Sequence, residues 1–127
     1  MNSEQQIQQA QRRIRPSNGM MEEVSLLEDV AAQLMTVQRY WNAPSRDVYL
    51  ATALSDSRRV WHGLQIALAD NRLALPLEVQ QNLLILSVYA DSKINTCETA
   101  PSADVLSSLI ALTRTLAGSL KEWQVAA

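Results

Sequence analysis

The sequence predicts an all-α fold, a compact bundle of four helices preceded by a mobile N-terminal arm. Three observations predict it. Apolar residues recur at three- and four-residue steps in four separate segments, no segment shows the alternation of a strand, and the segments are joined by short connections. With 127 residues, 47% of them apolar and 19% charged, the chain is large enough for one core and too apolar for disorder. We therefore predict a flexible arm over residues 1–19 and a single helical domain over residues 20–127.

The predicted arm has too few apolar residues for a stable buried face, so we interpret it as a mobile arm or a frayed helix. Five of residues 5–11 are glutamine, three arginines follow (Arg12, Arg13 and Arg15), and residues 16–19 read Pro-Ser-Asn-Gly. A basic arm can contact RNA or an acidic partner, or it can be a solvated tail, and both interpretations stay open here. We expect residues 1–17 to pack little and to be dispensable for folding, because ordering them costs about 1–2 kcal/mol per residue in backbone entropy.

The first helix is predicted over residues 20–40, where apolar residues from Val24 to Trp41 fall on one face. Asn18 is the expected cap, and Glu22 and Glu23 are expected in the first turn, where the helix dipole favours anions. Pro44 is expected to end this helix.

The second helix is predicted over residues 46–70, with Ser45 as its cap and with Asn71 and Arg72 suited to its end. Arg59 and His62 point away from its apolar stripe. The stripe contains Leu50, Ala53, Leu54, Val60, Trp61, Leu64 and Leu68.

The third helix, predicted over residues 76–96 and starting at Pro76, is unusual because it carries no charge from Val79 to Ala90. Its main apolar stripe contains Val79, Leu83, Leu86, Tyr89, Ala90 and Ile94. A second stripe, nearly opposite, contains Leu77, Leu84 and Val88. A helix that is apolar on two faces is either central in a bundle or exposes an interaction surface.

The fourth helix is predicted over residues 102–124, with Ser102 as its cap and Asp104 in its first turn. Its apolar stripe runs from Val105 to Trp123, and its outer face is mostly Ser and Thr. Gly63 and Gly118 lie inside predicted helices, which indicates either close helix approach or a tolerated local cost.

The sequence offers no catalytic constellation, so we predict no enzyme activity, no metal site and no cofactor. A single histidine and a single cysteine cannot assemble a zinc site of the usual kind. We expect a buried Cys97 that forms no internal disulfide and a solvated His62. Trp61 is expected in the core, although a partner-facing Trp61 flanked by Arg58 and Arg59 is a second possibility.

Charge and hydropathy narrow the classes of partner. The formal net charge of −2 provides no strong basic field for nucleic acid or for a membrane surface. The first residues are polar, unlike a signal peptide, and the longest apolar run is far shorter than the roughly 20 residues of a membrane span. The sequence therefore predicts a cytoplasmic protein without a membrane span.

Two segments of the chain, residues 53–61 (ALSDSRRVW) and residues 75–89 (LPLEVQQNLLILSVY), carry recognisable motifs. The first resembles the N-R-R-L-W segment of the FlaF family of flagellin-associated proteins from alphaproteobacteria, and the second is similar to that family's L-P-x-x-L-R-x-x-I-x-S-L helix. Residues 23–34 and 106–120 look like its first and last helices. Ser57, Val60 and Gln80-Gln81 depart from the family's usual residues. The resemblance covers about residues 17–121.

The resemblance implies a cytoplasmic accessory of flagellum assembly that binds flagellin as an export chaperone and promotes flagellin synthesis. It also implies a second partner, a regulator like FlbT, and brings no catalytic residue with it. The alternative is a regulator linked to flagellin messenger RNA through the arginines of the arm. The oligomeric state stays open.

We expect the second stripe of the third helix, Leu77, Leu84 and Val88, to receive an amphipathic flagellin helix if it is exposed. Aspartate at Leu84 or Val88 should then abolish flagellin binding while the protein still folds. The surface around Arg58, Arg59 and Trp61 is the alternative site.

Overall fold

The computed structural model describes residues 16–126, and the side chains of residues 19–123. It contains four helices: α1 (Pro16–Arg39), α2 (Arg46–Ala69), α3 (Leu77–Thr99) and α4 (Ala103–Ala126). Short connections over residues 40–45, 70–76 and 100–102 join them. The all-α, four-helix prediction is confirmed.

The helices pack as a closed ring in which each helix contacts two neighbours. The contacts join α1 to α2, α2 to α3, α3 to α4, and α4 back to α1. Because the connections are short, helices that follow one another in the chain run antiparallel. The core fills the centre of the ring, so each helix turns its outward face to solvent. The largest fully buried side chains are Trp61, Leu27, Leu34, Leu54, Leu64, Leu68, Ile94, Leu106, Leu109, Leu116, Leu120 and Thr113.

The start of α1 differs from the prediction. The helix begins at Pro16, so residues 16–19 of the predicted arm are helical, and Asn18 lies within the first turn instead of capping it. Glu22 and Glu23 consequently fall outside the first turn, which holds no acidic residue. The physical reason is that proline is favoured at the first helical position, where its missing N–H costs nothing. Residues 1–15 of the predicted arm lie outside the described residues.

The C-terminal end of α2 follows the prediction, whereas its N-terminal end follows it only in position. Ser45 occupies the N-cap position, but its side chain makes no capping hydrogen bond, so that part of the prediction is wrong. At the other end, Asn71 adopts a left-handed φ of 55°. The Arg72 N–H donates to the Ala67 carbonyl at 2.9 Å and the Asn71 N–H donates to the Leu68 carbonyl at 3.1 Å. This pair of bonds is the Schellman motif, which places Asn71 and Arg72 at the helix end as predicted.

The ends of α3 and α4 also carry the expected residues. Pro76, predicted as the first helical residue, instead lies at the N-cap of α3, and the helix extends from Leu77 to Thr99, three residues beyond its predicted end. The Val105 N–H donates to the Ser102 hydroxyl at 3.4 Å, and Asp104 lies in the first turn of α4. The Ser102 cap and the position of Asp104 are therefore confirmed.

Candidate partner-binding surfaces

The outward face of α3 carries an exposed apolar surface that we call the α3 strip. Of its predicted members, Leu77 and Val88 are exposed, whereas Leu84 is half-buried and packs against the core. Two residues outside the predicted stripe join them, because Ile85 and Tyr89 are also exposed. The α3 strip thus consists of Leu77, Leu84, Ile85, Val88 and Tyr89.

Tyr89 corrects the predicted core of α3. It was expected in the main stripe, but 59% of its surface is exposed, whereas Leu83, Ala90 and Ile94 are buried as expected. The reason is geometric, because α3 contacts only α2 and α4. A helix at one corner of a ring buries a narrow stripe, so a residue at the edge of a broad apolar pattern stays outside. A tyrosine is suited to that edge because its hydroxyl stays in water.

Uncharged polar residues continue the α3 strip. Gln81, Asn82 and Ser92 are exposed on α3, and the charged residues Glu78 and Asp91 lie just beyond the two ends of the uncharged run. Contact with this face therefore requires no desolvation of a charge along most of its length, which lowers the cost of covering it.

The alternative surface consists of Arg58, Arg59 and Trp61, and the structure places these three side chains in three different environments. Trp61 is 0% exposed, so it presents no area to a partner and has the core role that the stripe of α2 indicates. Arg59 is exposed and lies 3.1 Å from Asp56 on its own helix. Arg58 reaches across to α3, as described next. The structure therefore leaves Arg59 as the side chain of this group that is most open to a partner.

Arg58 connects α2 to α3 through three hydrogen bonds. Its Nη1 and Nη2 atoms donate to the two carboxylate oxygens of Glu98 at 2.8 and 2.7 Å, and Nη2 also donates to the side chain of Asn95 at 2.7 Å. The hydrogen bonds between Arg58 and Glu98 raise the pKa of Arg58 and lower the pKa of Glu98. This bidentate geometry explains the arginine as a structural contact between two helices.

A second polar contact between α2 and α3 lies further along the same seam. Gln65 donates to the Ser87 hydroxyl at 2.9 Å and to a carboxylate oxygen of Asp91 at 3.1 Å. The Nε2 atom of His62 lies 3.4 Å from the other oxygen of Asp91. These contacts hold the side of α3 that faces α2. Two sets of contacts therefore keep the α3 strip pointing outward, namely the buried stripe of α3 and this polar seam.

Sequence reasoning missed a groove between the end of α1 and the start of α2. The groove has a volume of about 510 Å³ and is mostly apolar. It is lined by the exposed side chains of Tyr40 and Tyr49 and by the buried Val37, among others. Both tyrosines lie outside the predicted apolar stripes. Their placement on either side of one short connection is the signal that could have identified the groove.

Cys97 and His62 have the environments expected from the sequence. Cys97 is buried, and burial raises the pKa of its thiol, which disfavours the reactive thiolate. His62 is exposed beside Asp91. Among the side chains that the structure describes, no three His, Cys, Asp or Glu residues are grouped so that they could hold a metal ion.

A family model described as "Flagellar protein FlaF" matches residues 4–120. No curated protein and no solved structure matches the chain. Within residues 16–126, none of the helices is long and apolar enough to cross a membrane.

Proposed function

This chain belongs to the flagellar protein FlaF family, and we propose that it acts as a non-enzymatic accessory of flagellum biogenesis that binds flagellin in the cytoplasm. In this role it covers apolar segments of flagellin before secretion and promotes flagellin synthesis. The α3 strip is the surface that contacts flagellin.

The single observation that carries the proposal is the exposure of Leu77, Ile85, Val88 and Tyr89 on one face of α3, a helix that carries no charged residue from Val79 to Ala90. An exposed apolar patch on a small protein marks an interaction site. Segments of flagellin that form amphipathic helices only in the filament need an apolar surface to cover them beforehand. A helix laid along α3, with its apolar residues against the strip, meets that need by a common mode of peptide recognition.

A second candidate function is regulation linked to flagellin messenger RNA, alone or together with a regulator like FlbT. The observation in its favour is the run of Arg12, Arg13 and Arg15 before α1. Two features oppose it, because the formal net charge is −2 and no aromatic residue interleaves the arginines for base stacking. We therefore place flagellin first.

Co-expression with flagellin separates the two candidates. We expect a complex that survives size-exclusion chromatography and that calorimetry shows to form with a negative heat-capacity change and a weak salt dependence, as apolar contact requires. A complex with flagellin leader RNA whose affinity falls steeply with salt would favour the RNA-linked function instead. Absence of any flagellin complex, with the protein folded, would contradict the proposed chaperone role.

A further inference from the structure

We propose that, when no other partner is bound, the α3 strip is covered by the α3 strip of a second copy of this chain in antiparallel orientation. The strip presents four exposed large apolar side chains, and no charged residue lies between Glu78 and Asp91. Two such faces can meet without opposing like charges, and their contact removes apolar area from water. Self-association is measured on the purified chain alone, so it does not rest on the proposed function.

The charges that flank the strip favour this occupant. Glu78 is exposed and Lys93 is half-buried, and neither forms an ion pair within the described part of the chain. They are separated by 15 positions on α3, which is about 22 Å along the helix axis and too far for a direct contact within one copy. At about 100° per residue, both lie on the side of the strip that carries Tyr89.

An antiparallel arrangement brings these two charges together. Glu78 lies seven positions before Ile85 and Lys93 lies eight positions after it. A two-fold axis at the level of Ile85 therefore brings Glu78 of one copy next to Lys93 of the second copy. Along the helix axis the two residues then differ in position by only about 1.5 Å. The two-fold axis also keeps both charges on the same side of the interface. Because a two-fold interface repeats each contact, the pair forms twice.

The size of the strip predicts a weak and reversible dimer. One helix face buries less than the roughly 800 Å² per partner of a stable interface, so we expect a dissociation constant in the micromolar range or weaker. Such a dimer shields the strip from non-specific contacts and yields to a partner that binds more tightly. That last consequence, competition with flagellin, rests on the proposed function.

Sedimentation velocity over a concentration series tests the proposal by charge exchange. Glu78→Lys and Lys93→Glu, each alone, turn two attractive pairs into two repulsive ones and should raise the dissociation constant about tenfold. The double variant Glu78→Lys/Lys93→Glu restores opposite charges and should return to within about twofold of the wild type. Single variants without effect, or a double variant no better than the singles, would overturn the antiparallel arrangement.

Substitution within the strip is the second arm. Val88→Asp should leave the chain monomeric, and Val48→Asp should dimerise like the wild type, because these valines are 64% and 68% exposed but lie on different helices. Circular dichroism checks that both variants fold. If Val88→Asp does not fold, the charge-exchange variants alone decide whether the dimer forms as proposed. A wild-type chain that stays monomeric at millimolar concentration overturns the proposal. If that monomer dimerises only after residues 1–15 are deleted, the N-terminal segment covers the strip instead.

Discussion

At the residue scale, the surroundings of the two helical glycines show whether each is needed for packing or is a tolerated cost in helix stability. A Cβ atom built at Gly63 or at Gly118 meets no heavy atom of the described residues within 4 Å, so neither glycine serves a close approach between the helices of residues 16–126. Gly63→Ala and Gly118→Ala should each raise the free energy of unfolding by about 0.4–1 kcal/mol, because alanine restricts the unfolded chain and suits a helix better. Urea denaturation measures the change. A loss of stability in either variant would indicate a close contact at that position.

Glu23 provides a pH-dependent test at the same scale. Its Oε1 atom is buried without a hydrogen-bond partner among the described residues, and burial raises its pKa although Arg72 partly opposes the shift. As the pH rises, Glu23 therefore ionises in the unfolded chain before it ionises in the native state. The free energy of unfolding falls over this range, until the pH passes the folded-state pKa of Glu23. Glu23→Gln should be more stable than the wild type at neutral pH. This advantage should vanish in acid, below the ordinary pKa of a glutamate, as paired urea titrations would show.

At the element scale, the sequence predicted the positions of all four helices but not every boundary. Periodicity locates a helix well because burial of one face depends on many residues. A boundary depends on one or two residues, and at α1 the run Pro16-Ser17-Asn18-Gly19 has the composition of a linker although Pro16 begins the helix. Asn71 was easier to interpret, because asparagine tolerates the left-handed conformation that ends a helix.

The α3 strip shows where helical periodicity stops being informative. Two apolar faces were visible in the sequence, and Leu77 and Val88 are exposed on the second one. Periodicity alone could not tell how much of α3 its neighbours cover, so Tyr89 was misplaced and Ile85 was missed. Packing in the ring, not local sequence, decides which residues at the edge of a stripe become buried.

Leu84 and Val88 consequently differ as sites of substitution. Leu84 packs against the core, so Leu84→Asp should lower the free energy of unfolding by about 1–3 kcal/mol, since it buries a charge without a partner. Val88→Asp should change it by no more than about 0.5 kcal/mol, as at other exposed positions. Thermal and urea denaturation of the two variants would check this. Equal losses in both would mean that Val88 is covered in the native state.

At the scale of the whole molecule, the ring of four helices leaves the α3 strip as an apolar, outward-facing surface held in place by the seam between α2 and α3. The strip could be predicted in part from the missing charges between Val79 and Ala90. The role of Arg58 could not, because its partners Asn95 and Glu98 are about forty positions away in the sequence and meet it only in the folded ring. The groove beside Tyr40 and Tyr49 likewise depends on how α1 and α2 meet.

Calorimetric titration of flagellin into Val88→Asp and Val48→Asp tests the central claim most directly. The two valines are similarly exposed and receive the same charge, but Val88 lies in the α3 strip and Val48 lies on α2. We expect Val88→Asp to lose flagellin binding by at least tenfold, because the contact must then desolvate a carboxylate, while Val48→Asp binds like the wild type. Equal affinity of the two folded variants, or a loss confined to Val48→Asp, would contradict the account.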